Sequence, residues 1–269
     1  MDKLLTALTA GILEIWAHKT RSFLSFLTMA IGVAALIYTF AITEGQNQRI
    51  RKSMLLSGPG RMEITAKRDY KSKGLSIGLT YADALAIRQA FPNLYMVSPE
   101  NLVWPAFRYK TFKKDYIHIL GVTPEWAKRD WVYKLKGRFF SQNDIQQNAK
   151  VCILVQPGGW RKKPYWLKFW ASANNLGTYL DRHDLLGKTV ILGKQSFYVI
   201  GILKEPFKED DPRWMRGGCW EGCALVPLTT LPAVNQYDDG SARSGKIGEI
   251  QVDTGQESTL ALYKKKIDT

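Results

Sequence analysis

Between Phe23 and Ile42 the chain reads FLSFLTMAIGVAALIYTFAI, with no charged residue. A helix of about twenty residues rises roughly 30 Å, the thickness of a bilayer's hydrocarbon core. A helix on the surface of a soluble protein keeps a polar face, and this run has none. It therefore predicts a transmembrane helix over 23–43, so that whatever follows must fold as a unit on a tether. Two other fates for such a run are a cleaved signal peptide and a buried core helix. A signal peptide has a shorter apolar core and a small-residue cleavage site, and Thr43-Glu44-Gly45 is a poor exit of that kind. A core helix has no need of so long an uncharged run.

The flanks carry the basic residues that headgroups attract. Residues 1–22 predict an amphipathic helix lying along the interface, because Leu4, Leu5, Leu8, Ile12, Ile15 and Trp16 recur at three- and four-residue spacing. An ordinary packing helix has the same pattern. Lys3, Lys19 and Arg21 precede the span, and Arg49, Arg51 and Lys52 follow it. The positive-inside count is thus a tie, and the closeness of Lys19 and Arg21 to the bilayer tilts the N-terminus toward the cytoplasm. Within the span, Gly32 and Ala34, with Ala30, Ala35 and Ala41, permit close approach of a second helix, although small residues are common in any membrane helix. Residues 44–57 are polar and helix-compatible, a stalk that Ser57-Gly58-Pro59-Gly60 terminates.

Beyond that break, strand and short-helix patterns alternate. Strands are expected at 61–66, 95–98, 102–109, 116–122, 151–155, 223–227 and 247–253. Thr80 and Asp83 have the spacing of a capping box for a helix that runs to Phe91 and stops before Pro92. Thr123-Pro124-Glu125 suits a helix start. KTVIL (188–192) and SFYVIGIL (196–203) flank Gly193-Lys194-Gln195, the pattern of a hairpin. Residues 204–218 form a charged loop, and 257–267 a final helix.

The balance of 38 Lys and Arg against 24 Asp and Glu gives a net charge of +14, which favours anionic surfaces. With a membrane span present and no zinc-finger spacing, RNP-like strand or KH loop, membrane lipid is the expected partner and nucleic acid is not. Three histidines and three cysteines without ligand spacing predict no metal site. Cys219 and Cys223 either close a small disulfide or stand as free thiols, with Cys152 left over. No GxxxxGK[ST], GxSxG or HExxH motif occurs, and the paired carboxylates at 209–211 and 238–239 lie among prolines, glycines and charges. No catalytic residue and no cofactor-binding residue is expected in this chain. Between 157 and 170 aromatic residues interleave with cations. Trp160, Lys163, Trp166 and Trp170 are candidates for contact with a partner or with membrane, while Trp166, Phe169, Trp170 and Ala173 also fall at the spacing of a helix packed on its own sheet.

Several of these stretches resemble the MacB/FtsX-type ABC transporter permeases. The segment Ala17–Leu24 (AHKTRSFL) followed by Thr28–Ala34 (TMAIGVA) is similar to the start of their first membrane helix. Gly137-Arg138-Phe139-Phe140 before Val151–Val155, then Leu185–Val190 leading into Val199–Leu203, then Leu225–Leu228, match the MacB-like periplasmic core domain in order and spacing. The resemblance implies an α+β fold: one N-terminal transmembrane helix and a two-lobed extracytoplasmic α/β domain. A porter-like lobe would be 58–150 and 221–269, and a strand-rich sabre-like lobe 151–220. It implies a permease subunit, or the N-terminal part of one, in a bacterial inner membrane, and a dimer with itself or a related chain. ATP would be bound and hydrolysed by a partner ABC ATPase meeting Lys19 and Arg21, and a periplasmic adaptor or lipoprotein would be engaged outside. Further membrane helices, absent from these residues, are expected in the whole permease. Efflux and the handling of lipoproteins or other envelope substrates are the activities the resemblance implies. The alternative from the residues alone is a single-span tethered binding or scaffold module without an ATPase.

Overall fold

The computed structural model describes residues 9, 13, 15–57, 60–66, 78–128, 134–162, 165, 175–207, 222–234 and 246–267. They fall into two compact units, Met1–Lys52 and Ser53–Thr269. The fold is mixed α and β, with one apolar N-terminal helix and a large sheet.

Helix α1, Lys19–Ser57, runs without a break from the apolar run to the residue before Gly58. It contains no proline, and from Glu44 to Ser53 its side chains are mainly polar. Of the interfacial helix expected over 1–22, residues 15–17 are helical and His18 is a turn before α1 begins, while 1–8, 10–12 and 14 lie outside the described residues.

In the second unit the elements follow in order: β1 Arg61–Thr65, β2 Leu79–Thr80, α2 Tyr81–Ala90, β3 Met96–Val103, β4 Phe107–Tyr109, β5 Phe112–Lys114 and β6 His118–Val122. A 3₁₀ turn at Pro124–Lys128 precedes β7 Lys134–Gly137, α3 Gln142–Gln146, β8 Val151–Gln156 and α4 Leu176–Arg182. Then come β9 Thr189–Leu192, β10 Gln195–Lys204, β11 Cys223–Pro227, α5 Leu231–Val234, β12 Lys246–Ile247, β13 Glu249–Asp253 and α6 Glu257–Ile267.

Two expected strands are redrawn. Residues 96–98 and the start of 102–109 belong to one strand, β3, which passes through Pro99, and Tyr95 is a bend before it. Proline is tolerated there because β3 has a ladder partner on one side only at that point: Met96–Glu100 pair with β13, and pairing with β6 starts at Asn101. Pro105 then ends the run, so Phe107–Tyr109 is a separate strand. The helix expected from Thr123-Pro124-Glu125 is a single 3₁₀ segment.

Ten strands hydrogen-bond in the order β1-β13-β3-β6-β11-β8-β10-β9-β4-β5, and β7 adds to β10. The 151–204 strands β8, β9 and β10 thus share one ladder path with β4, β6 and β11. The path cannot be flat. From β3 to β4 there are six strand spacings, about 29 Å at roughly 4.8 Å each. Yet Val103 and Phe107 are separated by three residues, whose chain reaches at most about 14 Å. The sheet therefore curls, and its seam is stitched by Ile117 N–H donating to Pro105 O (3.0 Å) and Gly193 N–H to Ala106 O (2.8 Å). Inside the curl lie Phe107, Ile119, Cys152, Leu154, Val190, Leu192, Phe197, Ala224 and Val226, all fully buried, and α4 adds Leu176. Part of the outer face carries a second core, where Trp126 and Phe140 cover Ile153, Val155, Cys223 and Leu225. A third core packs Ala84 of α2 and Leu94 against Val97, Ile250 and Val252.

The start of β1 and the end of β13 are tied together. Arg61 opens β1 opposite Asp253, the last residue of β13, and Thr254 N–H donates to Gly60 O at 3.0 Å.

Candidate functional site

The apolar run exposes its side chains along its whole length within the chain, so it is open to lipid or to further helices. Its hydroxyls would be costly in hydrocarbon if left unpaired. Three threonine hydroxyls are satisfied one turn back: Thr28 Oγ1 donates to Leu24 O (2.7 Å), Thr39 Oγ1 to Ala35 O (2.8 Å) and Thr43 Oγ1 to Thr39 O (2.8 Å). A Cβ built on Gly32 meets nothing within 4 Å. Phe23, Ala34 and Ile42 are likewise exposed on this helix. At its start Lys19 Nζ stands 5.0 Å from the centre of the Trp16 ring, and Arg21 is exposed.

In the second unit, two charged staples hold the sheet to its helices. Glu125 pairs with Arg88, stands 3.8 Å from Lys128 Nζ, and accepts Val97 N–H at 2.8 Å. Arg88 also donates to Leu94 O at 2.6 Å, so α2, the 3₁₀ turn and β3 meet at one carboxylate.

The second staple explains Gly137-Arg138-Phe139-Phe140. Gly137 has φ +96°, open to glycine at little cost, and a Cβ there would fall on the carbonyl oxygen of Ile200. Arg138 reaches Asp144 with two bonds, 2.6 and 3.1 Å. Asp144 also accepts Ser141 N–H (2.7 Å) and Oγ–H (2.8 Å), while Ser141 Oγ accepts Asp144 N–H (3.3 Å), closing a capping box on α3. The hydrogen bonds from Arg138, against the opposing effect of burial, hold the Asp144 carboxyl well below the usual carboxylate range. Phe139 stacks on Trp126 at 5.8 Å and 3°, and Phe140 is buried beneath. The motif is thus a structural knot beside the bulge in β10. The sequence signal for Asp144 was available in Ser141-x-x-Asp144 and was not picked out.

Of the aromatic and basic stretch, Trp160 is half-buried, Arg161 lies 5.3 Å from the Phe207 ring centre and Tyr165 is exposed. Lys163, Trp166 and Trp170 lie outside the described residues. Cys223 is disulfide-bonded, as an oxidising compartment allows. Cys219 lies outside the described residues, and Cys152 is a free thiol that burial pushes upward in pKa.

A small cleft of about 130 Å³ opens between Tyr81, Asn101, Leu228, Leu231, Pro232 and Lys246. Burial, and secondarily Glu125, raise the Tyr81 hydroxyl above its ordinary pKa. Asn101 is engaged on both sides, donating to Lys246 O (3.1 Å) and accepting Leu102 N–H (3.0 Å). The cleft is mainly apolar, and among the described residues no group of three or more His, Cys, Asp or Glu could hold a metal ion. This geometry supplies anchoring and docking surfaces.

The profile of the MacB-like periplasmic core domain matches residues 22–269. Among curated relatives, the macrolide export ATP-binding/permease protein MacB 1/2 of Paracoccus denitrificans is 28% identical over 235 residues, 87% of this chain and 31% of its own length. The MacB protein of Rhodospirillum rubrum is 29% identical over 227 residues, 80% of this chain and 30% of its own. The chain therefore spans less than a third of the length of these relatives. The crystal structure of the periplasmic region of MacB from Actinobacillus actinomycetemcomitans superposes with a TM-score of 0.54 at 17% identity, covering 81% of this chain and 85% of that one, a likeness of fold.

Proposed function

The chain belongs to the family of the MacB-like periplasmic core domain, and on that premise we propose that it is a permease subunit, or the N-terminal part of one, of a MacB/FtsX-type ABC transporter. The observation that carries this is the extent of the match, which takes in both the apolar helix and the curled sheet. ATP is hydrolysed by a partner ATPase on the cytoplasmic side, near Lys19 and Arg21, and the chain itself binds no cofactor. The motion passes through α1. Its unbroken backbone from Lys19 to Ser57 supports that role, since a helix satisfies its own polar groups in hydrocarbon and carries displacement without a hinge.

The sheet-bearing unit stands outside the cytoplasmic membrane, where its disulfide would persist, and moves during the cycle in efflux or in the handling of lipoproteins and other envelope substrates. The small residues Gly32 and Ala34 serve packing against further helices or a second permease chain. Trp160, Lys163, Trp166 and Trp170 contact an adaptor, a lipoprotein or lipid. The porter-like (58–150, 221–269) and sabre-like (151–220) lobes belong to the same proposal, their strands sharing one ladder path.

The test is affinity capture of the tagged chain from detergent-solubilised membranes, with mass spectrometry of what accompanies it. Recovery of an ABC ATPase, reduced by Lys19→Glu with Arg21→Glu, is the expected result. Repeated capture of extracytoplasmic proteins with no ATPase would replace this reading with that of a tethered scaffold.

A further inference from the structure

Part of the outer face of the curled sheet is covered by aromatic side chains. From β11 to the second half of β10 it lies under Trp126, Phe139 and Phe140. Past the bulge at Ile200 the cover ends, and Lys113, Arg108, Ile191 and Ser196 form one cross-strand row facing solvent. Across the seam, Trp104 is 51% exposed and Tyr116 59%, and Tyr198 on the adjoining row is 50% exposed. Four chain steps separate Trp104 from Arg108 and three separate Lys113 from Tyr116, so these groups lie within about 10–14 Å of one another along the chain.

Two features of this surface work against stability. Arg108 and Lys113 stand directly opposite each other, a like-charge pair that a sheet does not favour, and among the described residues neither makes an ion pair. The two-residue turn beside them holds Lys110 at φ +51°, where glycine or asparagine is easier to accommodate. Cations are thus presented despite a local cost. Arginine, tyrosine and tryptophan are the residue types that anchor protein interfaces, and unpaired cations select carboxylates.

The geometry points to a docking surface, built from Trp104, Arg108, Lys113, Tyr116 and Tyr198, for an acidic polypeptide partner. Aspartate or glutamate side chains meet Arg108 and Lys113, and the partner's apolar groups pack on the three aromatic rings. This rests on the permease reading insofar as the face is presented outside the membrane. Arg108 and Lys113 also suit anionic headgroups, and the vesicle arm of the test distinguishes that occupant.

The full chain in a neutral-lipid nanodisc is titrated with a fluorescent glutamate–tyrosine copolymer at low salt. Binding is expected to weaken at least about tenfold in Arg108→Glu with Lys113→Glu, and about fivefold or more in Trp104→Ala. The charge-matched control is Lys134→Glu with Lys204→Glu, a second cross-strand lysine pair, and is expected to change affinity less than about twofold. Arg108→Gln with Lys113→Gln, checked for an unchanged melting transition, separates lost contact from lost fold. Equal loss in the control, or no binding by the wild-type chain, overturns the proposal. So does co-flotation with phosphatidylglycerol vesicles that depends on the same residues and excludes the copolymer. ATPase capture is a separate readout, so its failure would remove the permease reading and leave this binding result standing.

Discussion

Gly137 and Gly201 face each other as register partners between β7 and β10, each filling a gap that a side chain would close. A Cβ on Gly201 would stand 2.8 Å from Arg138 O, and one on Gly137 would strike the Ile200 carbonyl. β10 changes neighbours here, from β9 over Gln195–Tyr198 to β7 over Gly201–Lys204, and its register with β8 shifts between Val199 and Gly201. The backbones approach closely to make that exchange.

Gly137→Ala should therefore destabilise the chain by roughly 2–3 kcal/mol, through positive φ and the collision together. Thermal unfolding in detergent would show a midpoint about 4–10 °C lower. An unchanged midpoint would mean that β7 is not held against β10.

Asp144→Asn should cost about 1–3 kcal/mol, because it weakens both the Arg138 pair and the α3 cap. The folded-state pKa of Asp144 is lowered, so its contribution is fully present above the unfolded aspartate value of about 3.9 and is lost as pH falls through the folded value. Unfolding curves of wild type and variant should thus be well separated at neutral pH and converge in strong acid. A gap that widened on acidification would show that the carboxylate is not the stabilising form.

Cys152 is buried with its thiol pushed toward the neutral form, so maleimide should leave it unlabelled in the native chain and modify it on unfolding. Reduction without denaturant should leave both Cys152 and the buried Cys223 unlabelled, and reduction with denaturant should label both. Peptide mapping distinguishes the two, and native labelling of Cys152 would contradict the core packing.

Phe197→Ala removes a fully buried ring from inside the curl and should cost about 3–5 kcal/mol. Tyr198→Ala, its exposed neighbour, should change stability by less than about 0.5 kcal/mol. Denaturant titration of the pair tests the assignment of inner and outer faces.

The features written in local sequence were the most legible. The uncharged run, the terminator after Ser57, the Thr80–Asp83 box and the hairpin flanking Gly193 each depend on neighbours within a few positions. The curl was not legible, because it depends on Val103 and Phe107 being close in chain while their strands are far apart in ladder order. The strand through Pro99 was missed for a related reason: tolerance of proline there depends on which side of β3 has a partner. Arg108 and Lys113 escaped notice because their facing positions follow from register, which the spacing of cations along the chain does not reveal.

The adjacency of Gly60 and Thr254 has a mechanical consequence. The chain enters β1 beside Gly60, whereas β13 passes on through Thr254 into α6, whose Tyr263 ring packs edge-on against Phe91. A pull on the chain ahead of Gly60 acts on the β1–β13 ladder one rung at a time from Arg61 and Asp253, while a pull beyond α6 meets the Tyr263–Phe91 contact first.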